Sequence, residues 1–255
     1  MESGEKMKIS VAIIAYNEEH NIERALRSVA WADEIVVVDS QSTDRTVEIC
    51  RRYTDNVVVH PWQGHIPQKN FALAQATNEW VLSIDADEEV SPELANSIKT
   101  ILAQGPEFDG YAVKRKVFYL GKWVKHSGWY PDYRIRLVKK ENACWGGESV
   151  HDVLEVNGST TKIRDGDLFH YTYRDLSDHI SKINSYTTIM AKNKFEACKR
   201  ACWCDVVFRP ILSFFKKYIF QLGFLDGFHG LIICVLASYY VFLKYLKLWE
   251  LQRTK

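Results

Sequence analysis

Ile9 to Ala15 (ISVAIIA) is an apolar, largely β-branched run with no polar alternation. That pattern is expected of a strand buried on both faces of a parallel sheet, and such a strand needs helices to cover it. The cover follows at once: Asn17, Glu18 and Glu19 open a segment in which Ile22, Ala25, Leu26 and Val29 recur at helical spacing. Its acids stand at the end that the helix dipole favours. A second apolar run, Glu34 to Val38 (EIVVV), completes a βαβ unit, right-handed by default. The alternation predicts a helix over Ser42 to Tyr53, a strand over Val57 to His60, a helix over Pro67 to Ala76 and a third buried strand over Trp80 to Ile84 (WVLSI). An α/β, Rossmann-like, doubly wound sheet is the economical conclusion. Ligands of such sheets bind beyond the carboxyl ends of the strands, where Asp39 and Asp85 both fall.

After a helix start at Ser91-Pro92 the pattern changes. Between Asp109 and His170 there are shorter runs of Tyr, Trp, Val, Lys and Arg, broken at Gly121, Gly128, Gly146-Gly147 and Asn157-Gly158. These predict a mixed or antiparallel sheet with loops, built onto the first half. The pattern places an α/β domain at 1–175, in halves of 1–105 and 106–175, and a helical region at 176–255. In that last region Val206 to Leu222 is apolar on most sides apart from Lys216 and Lys217. Gly223 to Gly230 makes a break, and Leu231 to Leu243 is an uncharged run of 13 residues. A bilayer span needs about 20 apolar residues, so the expectation is an amphipathic appendage lying in a membrane interface. Lys199, Arg200, Arg209, Lys216, Lys217, Lys244 and Lys247 flank the apolar stretches, and Tyr239, Tyr240, Tyr245 and Trp249 suit headgroup depth. Anionic lipid is the expected partner of this surface. A helical pair packed on the α/β domain, or a homo-oligomer interface, is the open alternative.

Composition refines this. The 255 residues are 47% apolar, enough for a packed core. A formal net charge of +1 carries no polyanion signature and argues against a nucleic-acid partner, but from Lys192 onward the excess is +7, on a body of about −6. The six cysteines are scattered and no secretory signal is visible, so they are read as reduced thiols of a cytoplasmic protein. Cys198, Cys202 and Cys204 lack a second pair at zinc-finger spacing and serve as small apolar residues.

The chemistry concentrates at strand ends. Asp85-Ala86-Asp87 leaves the buried strand that ends at Ile84, so two carboxylates one residue apart reach the rim, where hard oxygens suit Mg²⁺ or Mn²⁺ against a diphosphate. Asp39 ends another strand and is followed by Ser40, Gln41, Ser42, Thr43 and Asp44. Ser42 or Thr43 reads as a helix cap, which leaves the strand-tip Asp39 for function.

Together, A-Y-N-E-E at 15–19, V-V-V-D-S-Q-S-T-D at 36–44, Q-K-N-F-A at 68–72 and D-A-D at 85–87 resemble the family 2 inverting glycosyltransferases of GT-A fold. G-W-Y-P-D at 128–132, R-I-R-L at 134–137, V-H-D at 150–152 and H-Y at 170–171 extend the likeness to the branch with lipopolysaccharide core β-glucosyltransferases, which carries Glu where this chain has Asp152. The resemblance implies a nucleotide-sugar donor such as UDP-glucose and a saccharide or glycolipid acceptor. Residues 1–105 become the nucleotide-sugar half and 106–175 the acceptor side. It further implies Ala15, Tyr16, Glu18 and Asp39 around the nucleoside, Lys69 near the base or phosphates, Asp85 facing ribose or metal, and Asp87 as the main metal ligand.

Inversion needs a base for the acceptor hydroxyl and positive charge for the departing diphosphate. Asp152 is the expected base, from its place after His151 in the acceptor-side half and from the resemblance; Glu148 is the reserve. Arg134 and Arg136 flank Ile135 and are expected on one strand face, either gripping phosphate or as solvated charges. His170 either completes the metal shell or is structural, and Trp129 and Tyr130 either stack on a sugar or pack in the core. A nucleotidyltransferase would call for a Gly-rich phosphate loop, absent after the first strand. A processive synthase would call for several membrane spans. A catalytically inactive homologue acting as a membrane scaffold would have lost the carboxylates that Asp85 and Asp87 retain.

Overall fold

A computed structural model describes residues 7–148 and 151–253. The chain forms two units, Met1–Arg115 with Asp132–Tyr171, and Lys116–Pro131 with Thr172–Lys255. The stretch 116–131, expected in the acceptor-side half, groups instead with the helices.

The first unit holds β1 (Ile9–Ala15), α1 (Ile22–Ser28), β2 (Glu34–Asp39), α2 (Thr46–Cys50), β3 (Val57–Val59), α3 (His65–Gln75), β4 (Trp80–Asp85), β5 (Glu88–Val90) and α4 (Pro92–Gln104). The chain continues through β6 (Gly110–Tyr119), whose last four residues belong to the second unit, and β7 (Lys122–Trp123) of that unit. The first unit then resumes with β8 (Asp132–Lys139), β9 (Ala143–Glu148), β10 (His151–Val156), β11 (Thr160–Lys162) and β12 (Leu168–His170). The sheet order is β3-β2-β1-β4-β8-β6-β12-β5, with β11 added to β6. The β3-β2-β1-β4 half is parallel and doubly wound, as the β-branched runs require. From β8 onward the β4–β8, β8–β6 and β12–β5 pairs are antiparallel, and β9–β10 is a separate hairpin.

The β-branched runs lack alternation because both faces are covered. On one side Val11 and Ile13 pack with Ile22 and Leu26 of α1 and Leu94 and Ile98 of α4. On the other, Ala12, Val36 and Val38 pack with Ala72 and Leu73 of α3 and with Trp145 and Leu154 of the hairpin. The helix α2 is much shorter than the predicted Ser42–Tyr53. Ser42, Asp44 and Thr46 direct their side chains to the backbone of residues 17–19, which breaks the first helical turn.

In the second unit α5 (Leu176–Glu196), α6 (Trp203–Phe215) and α7 (Phe228–Leu251) pack together, α7 lying against both others. Lys247 of α7 places its ammonium within 2.9 Å of four oxygens of α5, Asn184 O and Oδ1 and the Thr187 and Thr188 hydroxyls, among which its three protons are shared. Buried Asp226 accepts from the His126 backbone N–H at 2.8 Å, which anchors the 116–131 segment. Trp129 packs edge-on against the buried Tyr119, ring centroids 5.5 Å apart, so its surroundings are a hydrophobic core. The uncharged run at 231–243 lies in the middle of a 24-residue helix whose most apolar 18-residue stretch has a mean hydropathy of 1.7, long and apolar enough to cross a membrane by length and composition. The amphipathic element is α6, whose Trp203, Phe208, Ile211, Leu212 and Phe215 are exposed.

Candidate active site

The site is built at the carboxyl ends of β1, β2 and β4. After buried Ala15 the chain turns at Tyr16, which is exposed, and Asn17, whose backbone takes the left-handed conformation (φ 53°). That turn is held by the loop after β2. Ser42 Oγ accepts from Asn17 N–H at 2.8 Å, Thr46 Oγ1 from Glu18 N–H at 2.8 Å and Asp44 Oδ2 from Glu19 N–H at 3.2 Å. In return Asn17 Oδ1 accepts from Thr43 N–H at 2.8 Å. Asp39, fully buried, accepts the Ser42 N–H (2.8 Å) and hydroxyl (2.5 Å) on its two carboxylate oxygens. The hydroxyl-rich stretch after Asp39 is therefore a clamp on the 16–19 turn rather than a set of helix caps. Glu18 accepts from Asn21 Nδ2 at 2.8 Å.

Each residue of the 68–71 segment on α3 has a partner. Gln68 donates to Ser40 Oγ at 3.0 Å and contacts His60, on which Phe71 stacks. Asn70 exchanges two 2.8 Å hydrogen bonds with the Trp145 backbone and so fixes the β9–β10 hairpin. Lys69, 6% exposed, places Nζ 2.8 Å from Asp85 Oδ1 and 2.6 Å from Asp152 Oδ2, and 4.3 Å from the Trp145 ring centre.

Arg136 joins this network, with Nη2 3.1 Å from Glu88 Oε1 and 3.5 Å from Asp85 Oδ2. Arg134 does not; it is exposed and pairs with Asp132 at 3.1 Å. The two were expected on one face, but Tyr111 pairs with Leu137 while Ala112 pairs with Ile135. Arg136 is thus bulged out of the ladder and the alternation breaks.

The electrostatics follow from burial and pairing. Burial works to raise the Asp85 carboxyl, yet the Lys69 ammonium and the Arg136 guanidinium outweigh it and hold Asp85 well below the usual carboxylate range. Burial likewise works to lower Lys69, and Asp85 and Asp152 more than offset it, so its ammonium is held up. Asp152, Lys69, Asp85, Arg136 and Glu88, five side chains that would each be costly to bury alone, follow one another as alternating charges.

Asp87, beyond the β4 tip, lies 3.2 Å (Oδ2) from His170 Nε2 at the end of β12, and His170 Nδ1 is buried without a hydrogen-bond partner. Among the described residues no third His, Cys, Asp or Glu completes a three-ligand cluster there. The Asp87 carboxylate fits a hard divalent cation that takes its remaining ligands from diphosphate and water, as Mg²⁺ commonly does, whereas the imidazole beside it is a donor that softer divalent metals favour. Val150 and the side chains of Glu148 and His151 lie outside the described residues.

Residues 10–154 match the model of Glycosyl transferase family 2. The chain belongs to that family. Across 96% of its length this glycosyltransferase is 33% identical to an uncharacterized glycosyltransferase of Rickettsia typhi, covering 87% of that protein. It is also 29% identical to the lipopolysaccharide core biosynthesis glycosyltransferase LpsC of Rhizobium meliloti, over 96% of this chain and 93% of LpsC. Among solved structures, Staphylococcus aureus TarS with UDP-GlcNAc superposes with a TM-score of 0.51 at 18% identity, covering 97% of this chain and 92% of that one. The mannosyltransferase PcManGT of Pyrobaculum calidifontis, solved with GDP-Man and Mn²⁺, gives 0.56 at 15% identity over 97% and 88%. Both establish the GT-A fold of this glycosyltransferase, as the resemblance in its motifs implied.

Sequence reasoning named Lys69, Asp85, Asp152 and Arg136 in separate roles, which the structure brings into one network, and missed Glu88, Trp145 and Asn70. Glu88, 1% exposed, stands three residues past Asp85 and accepts its backbone N–H at 3.0 Å, a spacing legible in D-A-D-E once the turn is known. Asn70 sits inside the quoted Q-K-N-F-A motif. Nothing in the sequence marked Trp145.

Proposed function

We propose that the chain is an inverting hexosyltransferase that moves a single glucose from UDP-glucose to a saccharide of a lipid-linked or lipopolysaccharide-core acceptor. It works with Mg²⁺ or Mn²⁺ on the cytoplasmic face of a membrane. The observation that carries this reading is the position of Asp152 and Asp85 on one buried ammonium, 2.6 and 2.8 Å from Lys69 Nζ, which sets an acid of the β9–β10 hairpin beside the strand-end carboxylates. The relation to LpsC along nearly the whole of both chains supports the acceptor class. The exposed apolar side chains of α6 and the basic C-terminal region support the membrane surface.

In this mechanism the Asp152 carboxylate takes the proton of the acceptor hydroxyl. The hydroxyl oxygen forms the new bond to the anomeric carbon, and the bond from that carbon to the diphosphate breaks, its electron pair leaving with UDP. One displacement inverts the centre. Lys69 is a positioning residue that fixes the carboxylate, and the clamped 16–19 turn with Asp39 frames the nucleoside. Arg134, exposed at the rim, is the arginine with reach toward a phosphate. Asp87 and His170 would hold a divalent cation, which when bound would supply charge to stabilise the departing diphosphate.

The test is donor binding and slow hydrolysis across a panel of nucleotide sugars, with and without divalent metal, in the wild type and Asp87→Ala. Metal-dependent UDP release from UDP-glucose, reduced about 100-fold or more in the variant, is the expected result. Release of pyrophosphate would point to a nucleotidyltransferase, and absence of binding to every donor would leave a scaffold.

A further inference from the structure

Within the helical unit, α5, α6 with the π-helical turn after it, and α7 surround a cavity of about 230 Å³. Its exposed lining is mostly apolar, with Ile183 of α5 and Ile233, Leu236 and Ala237 of α7 among aromatic rings such as Trp129 and Tyr240. The volume exceeds the ~150 Å³ of an apolar cavity that takes benzene, but falls short of the ~300–1,000 Å³ of sites that enclose a drug-sized ligand. It suits a length of hydrocarbon chain and is too small for a nucleotide sugar.

Two ammonium groups border this space, and they differ. Lys182 is neutralised by Asp178 at 3.1 Å and donates to the Thr172 carbonyl at 2.6 Å. Lys217 donates only to the Ser127 carbonyl, at 3.3 Å, and among the described residues no carboxylate lies within 4.0 Å of it. Burial pulls its ammonium below the ordinary lysine range. A half-buried cation at the edge of an apolar space, without a counter-ion from its own chain, is stabilised by an anion arriving from outside.

We propose that this cavity binds an anionic single-chain amphiphile, its hydrocarbon against Ile183, Ile233, Leu236 and Ala237 and its phosphate or carboxylate on Lys217. The site is separate from the donor and metal residues, and its test needs neither donor nor metal, so its failure would leave the transfer reaction untouched.

The experiment is calorimetric titration of the full chain with decyl phosphate, decanoate, decanol and inorganic phosphate, each alkyl probe below its micelle concentration. One saturable site for decyl phosphate or decanoate is expected, with decanol about tenfold weaker and inorganic phosphate weaker still. Lys217→Gln should cost the anionic probes about tenfold and leave decanol unchanged. Ala237→Phe, which fills the cavity, should abolish binding of all three alkyl probes, with near-ultraviolet circular dichroism confirming that both variants are folded. The proposal is overturned if Lys217→Gln binds decyl phosphate like the wild type, if a folded Ala237→Phe binds undiminished, or if inorganic phosphate binds as tightly as its decyl ester.

Discussion

In the sheet unit the charges are inside: Lys69, Glu88 and Arg136 are each no more than 6% exposed, and they form ion pairs with one another and with Asp85 and Asp152. In the helical unit the apolar groups are outside: Trp203 is 65% exposed, Leu212 66%, Phe220 80% and Phe228 72%. A buried ion network costs desolvation and is retained where fixed charge is useful, as at a transfer site. Exposed aromatic and aliphatic side chains in such number mark a surface that meets something other than water. On the proposed function, the first unit serves a reaction and the second a surface.

The comparison can be broken at its centre. Asp152→Asn keeps the shape of the hairpin and removes the proposed base, so transfer measured by UDP release with acceptor should fall about 10³-fold while donor affinity changes less than about threefold. An active variant would move the base elsewhere. Glu88→Gln leaves the Arg136 guanidinium buried without its nearest carboxylate; urea unfolding should show a loss of about 3 kcal/mol. A value near zero would mean that the network is solvated rather than buried.

The helical unit should respond in the opposite manner. The double variant Trp203→Ser, Leu212→Ser should weaken sedimentation with anionic vesicles about tenfold and shift unfolding by only about 0.5 kcal/mol, since neither side chain is packed inside. Unchanged vesicle binding would remove α6 from the membrane face. A smaller effect comes from His179, whose imidazole burial pushes down to about 4, with Asp178 opposing. Its folded value lies below the ordinary histidine range, so the unfolded chain takes the proton first. The stability from this group is complete above about pH 6.5 and is lost as pH falls toward about 4. Thermal unfolding from pH 7 to pH 4.5 should decline less steeply in His179→Gln.

What the sequence made legible follows from how locally each feature is encoded. The strands β1, β2 and β4 announce themselves because a two-sided sheet demands uninterrupted Ile, Val and Leu, and the run of residues itself states that demand. Lys69, Asp85 and Asp152 were legible through motif resemblance. Their convergence on one nitrogen depends on a hairpin whose register no local pattern encodes. The pairing of Arg134 with Arg136 failed for a definite reason: strict alternation holds only until a bulge, and this bulge removes a single residue from the ladder. Helix α2 was overdrawn because Ser42, Asp44 and Thr46 favour helix starts and equally favour bonds to neighbouring backbone, and only the fold decides which. The placement of 116–131 with the helices rests on Asp226, a hundred residues further along, which no spacing rule reaches.

The clamp at the strand ends has a kinetic consequence. Because the amide protons of Asn17, Glu18 and Glu19 are held by side chains of a different loop, neither loop can open to solvent without the other. In deuterium exchange the amides of 17–19 and of 42–46 should lose protection in a single cooperative event with one opening free energy. The donor would then meet a rim that is already rigid, and its binding would cost little ordering entropy.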